Sequence, residues 1–295
     1  MSDQRPALPV TEKAYAKLNI SLDVTARRAD GYHDMLMIMQ TVSLCDELTI
    51  SPERDGLVHA ATSLPYVPGD RRNLAVRAAL QFLELVGDGE RGMKIAIRKS
   101  IPVGAGMAGG SADAAAVLRA LNRAYGGPLS EKELCAVGEK VGSDVAFCLR
   151  GGTALASGRG EILQPLPPLP PCCFAICKPD FSISTPELFK KLDEAKLSCH
   201  PDTDGLSAAL EKGDLDGLCR RMYNVFEDVP DRRMRTIRAA KGALLDCGAL
   251  GALMTGTGSA VFGVFRDRAA AEAACATLKK EYRFCCTAET VGALL

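Results

Sequence analysis

A chain of 295 residues with 47% apolar side chains is long enough for about two ordinary cores, and 36 basic against 36 acidic residues leave no net charge for holding a nucleic acid or an anionic membrane. Twelve cysteines without a C-x-x-C pair, beside only three histidines, point to reduced thiols rather than zinc or disulfides. No run of about 18 apolar residues occurs and residues 1–13 have no apolar signal core, so the expectation is a soluble, cytoplasmic protein acting on a small molecule.

From Ala14 to Val24 every even position is apolar, a period of two that predicts a half-buried strand with Lys17 and Asn19 together on the face opposite the core. The Asp30-Gly31 turn follows, with Tyr32 and His33 just past it, then expected strands at Met35–Val42 and Glu47–Ile50. Asn73 can cap a helix over Leu74–Val86. Ile95 and Ile97 mark a short strand that Pro102 stops, and the glycines of 104–110 lead into an Ala-rich helix predicted to start near Ser111. Ser130 and Glu133 form a capping-box pattern for a helix to about Lys140. Asp144 then stands in a Gly-Ser-Asp turn before the apolar Val145–Leu149.

Five prolines in residues 164–171 read as an extended connector, which divides the chain into domains of residues 11–163 and 165–295. Beyond it come a strand at Cys172–Lys178 and a helix over Glu187–Leu197, capped by Ser184 with Thr185-Pro186 at its start. Further helices are expected at Gly205–Glu211, Leu215–Phe226 and Arg232–Cys247. Two strands then flank the turn Thr255-Gly256-Thr257-Gly258-Ser259, a second backbone loop suited to phosphates. Helix Arg268–Tyr282 and strand Phe284–Thr287 close the chain.

Glycines permit close backbone approach, and a helix start attracts anions, so strand, glycine loop and helix together suggest a phosphate site. Spacing excludes the commonest versions. Gly104 to Gly109 spell G-x-G-x-x-G, but the acidic strand end that a dinucleotide fold wants about 20 residues on falls in the turn Tyr125-Gly126-Gly127-Pro128. Gly110 is followed by Ser111 and not by the lysine of a Walker A loop, and no H-R-D tripeptide occurs. What remains, P-x-G-A-G-x-x-G-G-S-x-D-A-A from Pro102 to Ala115, resembles the phosphate loop of the GHMP kinase superfamily.

Ala16-Lys17-Leu18-Asn19, Arg28-Ala29-Asp30-Gly31-Tyr32-His33, Gly142-Ser143-Asp144-Val145, Ser184-Thr185-Pro186 and Gly256-Thr257-Gly258-Ser259 extend that resemblance over nearly the whole chain. Together they resemble the GHMP kinases that phosphorylate the 2-hydroxyl of a cytidine-diphosphate-linked methylerythritol for isoprenoid precursors. The resemblance implies an α+β fold with a ribosomal-protein-S5-domain-2-like first domain and a ferredoxin-like second. It implies ATP with Mg²⁺ as cofactors, a small-molecule partner only, and a monomer or homodimer. Lys17 and Asp144 are then catalytic. The ATP site takes Pro102, Val103, Gly104, Ala105, Gly106, Met107, Ala108, Gly109, Gly110 and Ser111, with Asn73 and Lys99 carried over for adenine. Asn19, Tyr32, His33, Thr185 and Phe189 fall to the acceptor substrate, and the metal ligands stay open. Ala108, Ala112 and Ala146 depart from the pattern, standing where a glycine, a second serine and a proline are usual. A homoserine or mevalonate type of kinase and a non-catalytic nucleotide-binding regulator are the competing readings.

Overall fold

A computed structural model describes residues 6–195, 197 and 199–295. The chain begins with a long antiparallel pair, β1 (Val10–Arg27) and β2 (His33–Glu53), joined through Gly31 at φ 83°. Where two separate strands were predicted over 35–50 there is one strand of 21 residues. Ser43 to Asp46 contain no turn-forming glycine or proline, and three register shifts against β1 bend the pair instead of breaking it.

After β3 (Val58–Thr62) come α1 (Leu74–Leu85), β4 (Gly92–Arg98), α2 (Gly109–Ala124), α3 (Glu131–Val141) and α4 (Val145–Arg150). The hairpin β5 (Thr153–Gly158) and β6 (Ile162–Pro165) follows. Strand order is β3-β4-β2-β1, and the half of β2 not paired with β4 carries β5 and β6. The capping box at Ser130 forms as predicted. The apolar run 145–149 is helix and not strand, since periodicity alone cannot assign a run that short.

Helix α2 is the centre of this half. Residues 112–121 are all buried, because β1, α1 and α4 pack around the helix and its alanines let them come close. The helix starts two residues before Ser111, at Gly109, with Ala108 ahead of it at φ 57°.

The second half contains β7 (Cys173–Lys178), α5 (Thr185–Glu194), α6 (Thr203–Lys212), α7 (Leu215–Arg221), β8 (Tyr223–Asn224), α8 (Met234–Asp246), β9 (Gly251–Met254), β10 (Val261–Phe265), α9 (Arg268–Leu278) and β11 (Phe284–Glu289). Its antiparallel sheet runs β11-β7-β10-β9, which is the 4-1-3-2 order of a ferredoxin-like βαββαβ unit. Helix α5 ends three residues short of the predicted Leu197, and Lys196 lies outside the described residues. The helix predicted over Leu215–Phe226 stops at Arg221, because residues 223–224 leave it to pair in parallel with β1.

The proline-rich connector follows β6, so the two sheets lie on either side of it in sequence, with β8 crossing back to the first. The C-terminal segment crosses back as well, bridging Thr290 to Val42 and Ala293 to Gly151. The turn at Thr255, which accepts from Asn19 N, covers the second face of β1: Lys17 and Asn19, predicted on an open face, are 4% and 0% exposed.

Candidate active site

Two cavities meet at the glycine loop. One, of about 490 Å³, is lined by Lys17, Tyr32, His33, Asp144, Thr185 and Phe189. The other, of about 390 Å³, is lined by Tyr66, Asn73, Lys99, Asp113 and the loop from Pro102 to Ser111. Gly106 and Ala108 line both and form the wall between them.

The loop is fixed from the far side by the second glycine-rich turn. Thr255 Oγ1 donates to Gly106 O at 3.2 Å and Ala260 N to Ala105 O at 3.1 Å. Gly106 has φ 76°, and a Cβ there would lie 2.1 Å from Thr255 O, so both conformation and space require glycine. The turn at 255–259 thus supports the first loop as well as facing the larger cavity through Gly256 and Thr257. At the other end, α2 has no side-chain cap, which leaves the amides of its first turn for a ligand. Ala108 holds a left-handed conformation that costs an L-residue about 1 kcal/mol, the price of lacking the glycine usual there.

Lys17 points from β1 into the larger cavity. Its Nζ donates to Asn19 Oδ1 at 2.5 Å and stands 4.0 Å from Asp144 Oδ2. Asp144 sits at the head of α4 without capping it, and its side chain is 30% exposed. A loosely opposed ammonium and carboxylate facing a cavity can act on a substrate placed between them. Asn19, expected at substrate hydroxyls, is placed otherwise. Its Oδ1 accepts from Lys17 and from Gly256 N at 3.0 Å, and the residue is fully enclosed. It positions Lys17 and the second turn.

On the other side of the loop Lys99 makes a closed group. Its Nζ lies 2.5 Å from Asp46 and 2.7 Å from Asp113, with all three side chains at most 5% exposed. Burial pushes Asp113 up to about 8. Burial also acts against the Lys99 ammonium, but the two carboxyl groups outweigh it and raise Lys99. The adenine contact expected of Lys99 therefore competes with its hold on two carboxyl groups, and Asn73 is occupied as the N-cap of α1, accepting from Ala75 N.

Beside Lys17 the aromatic groups assemble. His33 stacks on Phe189 at 4.6 Å between centroids, and its Nε2 bonds Asp193 at 2.7 Å. Tyr32 is 58% exposed, with the Arg159 guanidinium 5.3 Å over its ring. Thr185 Oγ1 meets Thr257 Oγ1 at 2.8 Å, tying α5 to the second turn.

Residues 73–152 match the GHMP kinases N terminal domain and residues 206–283 the GHMP kinases C terminal domain. The 4-diphosphocytidyl-2-C-methyl-D-erythritol kinase of Alkaliphilus metalliredigens is 42% identical over 271 residues, covering 92% of this chain and 93% of its own. The chain belongs to the GHMP kinases, in the 4-diphosphocytidyl-2-C-methyl-D-erythritol kinase family. Its counterpart from Geobacillus kaustophilus is 44% identical, over 85% and 87% of the two chains. A crystal structure of a 4-(cytidine 5'-diphospho)-2C-methyl-D-erythritol kinase superposes with a TM-score of 0.79 at 32% identity, over 96% of this chain and 99% of that one. A homoserine kinase from Cytophaga hutchinsonii, at 21% identity and a TM-score of 0.73, covers 99% of this chain and 98% of its own and shares the fold.

Three residues of this GHMP kinase were not anticipated from sequence: Asp193, which holds His33, and Asp46 and Asp113, which hold Lys99. Asp113 lies inside the loop motif itself. Asp46 and Asp193 are 53 and 160 residues from their partners, beyond any local pattern. Among the described residues no group of three His, Cys, Asp or Glu side chains is placed to hold a metal, and no helix is long and apolar enough to cross a membrane.

Proposed function

We propose that this chain transfers the γ-phosphoryl group of ATP to the 2-hydroxyl of 4-diphosphocytidyl-2-C-methyl-D-erythritol. The observation that carries the reading is the shared wall: the loop from Gly106 to Ala108 separates a nucleotide-sized cavity from one that contains Lys17 and Asp144. ATP lies along Gly104–Ser111 with its phosphates on the uncapped amides of α2. The acceptor lies opposite. Phosphoryl transfer needs alignment and charge neutralisation more than covalent work, so few side chains suffice. Asp144 takes the proton of the acceptor hydroxyl, and the Lys17 ammonium, held by Asn19, stabilises the oxygen as it becomes anionic.

Mg²⁺ carried on the ATP phosphates, its usual mode in phosphoryl transfer, would neutralise part of their charge. Tyr32, His33 and Phe189 receive the cytosine. With Asp193 accepting from Nε2–H, a neutral His33 would present Nδ1 as an acceptor for an exocyclic amine. Thr185 lines the same cavity.

The test offers the purified protein ATP with the cytidine substrate, homoserine, mevalonate and galactose in parallel. Turnover should be confined to the cytidine substrate, and His33→Ala should lower its kcat/KM about a hundredfold, because a pocket built to pair a polar edge loses much when one partner is gone. Phosphorylation of homoserine or mevalonate instead would overturn the specificity, and no ATP consumption with any acceptor would favour a regulator.

A further inference from the structure

Beneath the nucleotide side of the glycine loop, one ammonium faces two carboxyl groups. Asp46 and Asp113 both contact Lys99, and none of the three side chains is more than 5% exposed. If both acids were ionised, one uncompensated negative charge would be buried about one helical turn behind the amides of Gly109 to Ser111.

The two acids are not equivalent. Asp46 accepts three hydrogen bonds, from Lys99 Nζ, Ser100 N and Ile101 N. Asp113 accepts one through Oδ2, while its enclosed Oδ1 has no partner among the described residues. An enclosed oxygen without a donor is costly in a carboxylate and much less so in a neutral acid. Asp113 also lines the 390 Å³ cavity.

We propose that Asp113 is a proton-carrying positioning residue of the nucleotide site: it holds its proton while a polyphosphate occupies the glycine loop, and its ionisation opposes nucleotide binding. This rests on the reading of Gly104–Ser111 as the ATP loop. A neutral Asp113 leaves Lys99 and Asp46 as a matched pair and the positive end of α2 unopposed. An ionised Asp113 sets a negative charge behind those amides, against the phosphates. The coupling is reciprocal, so nucleotide binding raises the affinity of Asp113 for its proton.

Burial raises Asp113 far enough for the proton to leave near neutral to mildly alkaline pH. The titratable groups that bear on it are Lys99 from the end of β4, Asp46 from β2 and the Cys148 thiol from α4. Burial pushes Cys148 up to about 12, so it stays neutral throughout. Lys17 of β1 and Asp144 at the head of α4 act on Cys148.

The test is calorimetric titration of the full chain with ATP, without acceptor, from about pH 7 to about pH 9 in buffers of different ionisation heat, for the wild type and Asp113→Asn. Asparagine keeps the shape and the charge of the neutral acid, and its own pH profile cancels the titration of ATP. Wild-type affinity should fall about tenfold more than that of the variant over this range, with uptake of part of a proton that the variant does not show. Equal pH dependence in the two proteins overturns the proposal. If the variant does not fold, proton uptake by the wild type near pH 8 decides, where ATP itself is fully ionised, and zero uptake overturns it. Absence of ATP binding at every pH, or binding unaffected by Gly106→Val, refutes the loop assignment and the proposal with it.

Discussion

The protein sets lysine against aspartate on both sides of one glycine loop and builds the two groupings in opposite ways. Lys99 is closed around its partners, 2.5 and 2.7 Å from two enclosed carboxyl groups. Lys17 is held back by an amide and stands 4.0 Å from an Asp144 that is 30% exposed. The closed group braces backbone: Asp46 ties β2 to Ser100 and Ile101 at the loop entry, and Asp113 ties Lys99 to α2 at its exit. The open pair leaves room for a reacting group between its charges. The same residue types give scaffold or chemistry according to whether the geometry is filled.

Breaking the closed group should have the larger effect on stability. Lys99→Met leaves Asp46 enclosed without its cation, which costs about 3 kcal/mol even with Asp113 protonated, and denaturant unfolding checks this. The variant should also bind ATP weakly, since the loop loses its brace. An unchanged midpoint would mean that the group contributes nothing to the fold.

A smaller change sharpens the open side. Asn19→Ala removes the acceptor that fixes Lys17 and frees the amide of Gly256. The expected loss is about 1–2 kcal/mol of stability. The accompanying fall in kcat is about tenfold, with KM for ATP nearly unchanged, because Lys17 then pairs directly with Asp144 and blocks the space between them. Steady-state kinetics distinguishes this from a binding defect, in which KM would carry the change.

The sequence made β1, the glycine loop and the capping box at Ser130 legible, because each is a local pattern with a local cause. It also brought Lys17, Asp144, His33 and Phe189 to notice through motifs, and these four line one cavity. Facing and burial were not legible. Period two predicted Lys17 and Asn19 on an open face, but the turn at Thr255, 236 residues away from Asn19, closes over it. The second glycine-rich turn looked like a phosphate loop in its own right, and only its contact with Gly106 and Ala105 shows it as a support. Lys99 was carried over as an adenine contact from the resemblance alone, and the two acids that hold it lie 53 and 14 residues distant, where no spacing rule reaches. Helix α7 was drawn too long since β8 forms only by pairing with β1.

The most direct test of the division between open and closed pairs is to measure ATP affinity and turnover on one sample of Asp144→Asn. The substitution is nearly isosteric and lies in the 490 Å³ cavity, across the loop from the cavity proposed for the nucleotide. Affinity for ATP should stay within about threefold of the wild type while kcat falls by about a thousandfold, the usual contribution of a positioned base. Undiminished turnover, or a loss of ATP affinity that accounts for the whole fall, would contradict the assignment of Asp144 to the chemistry.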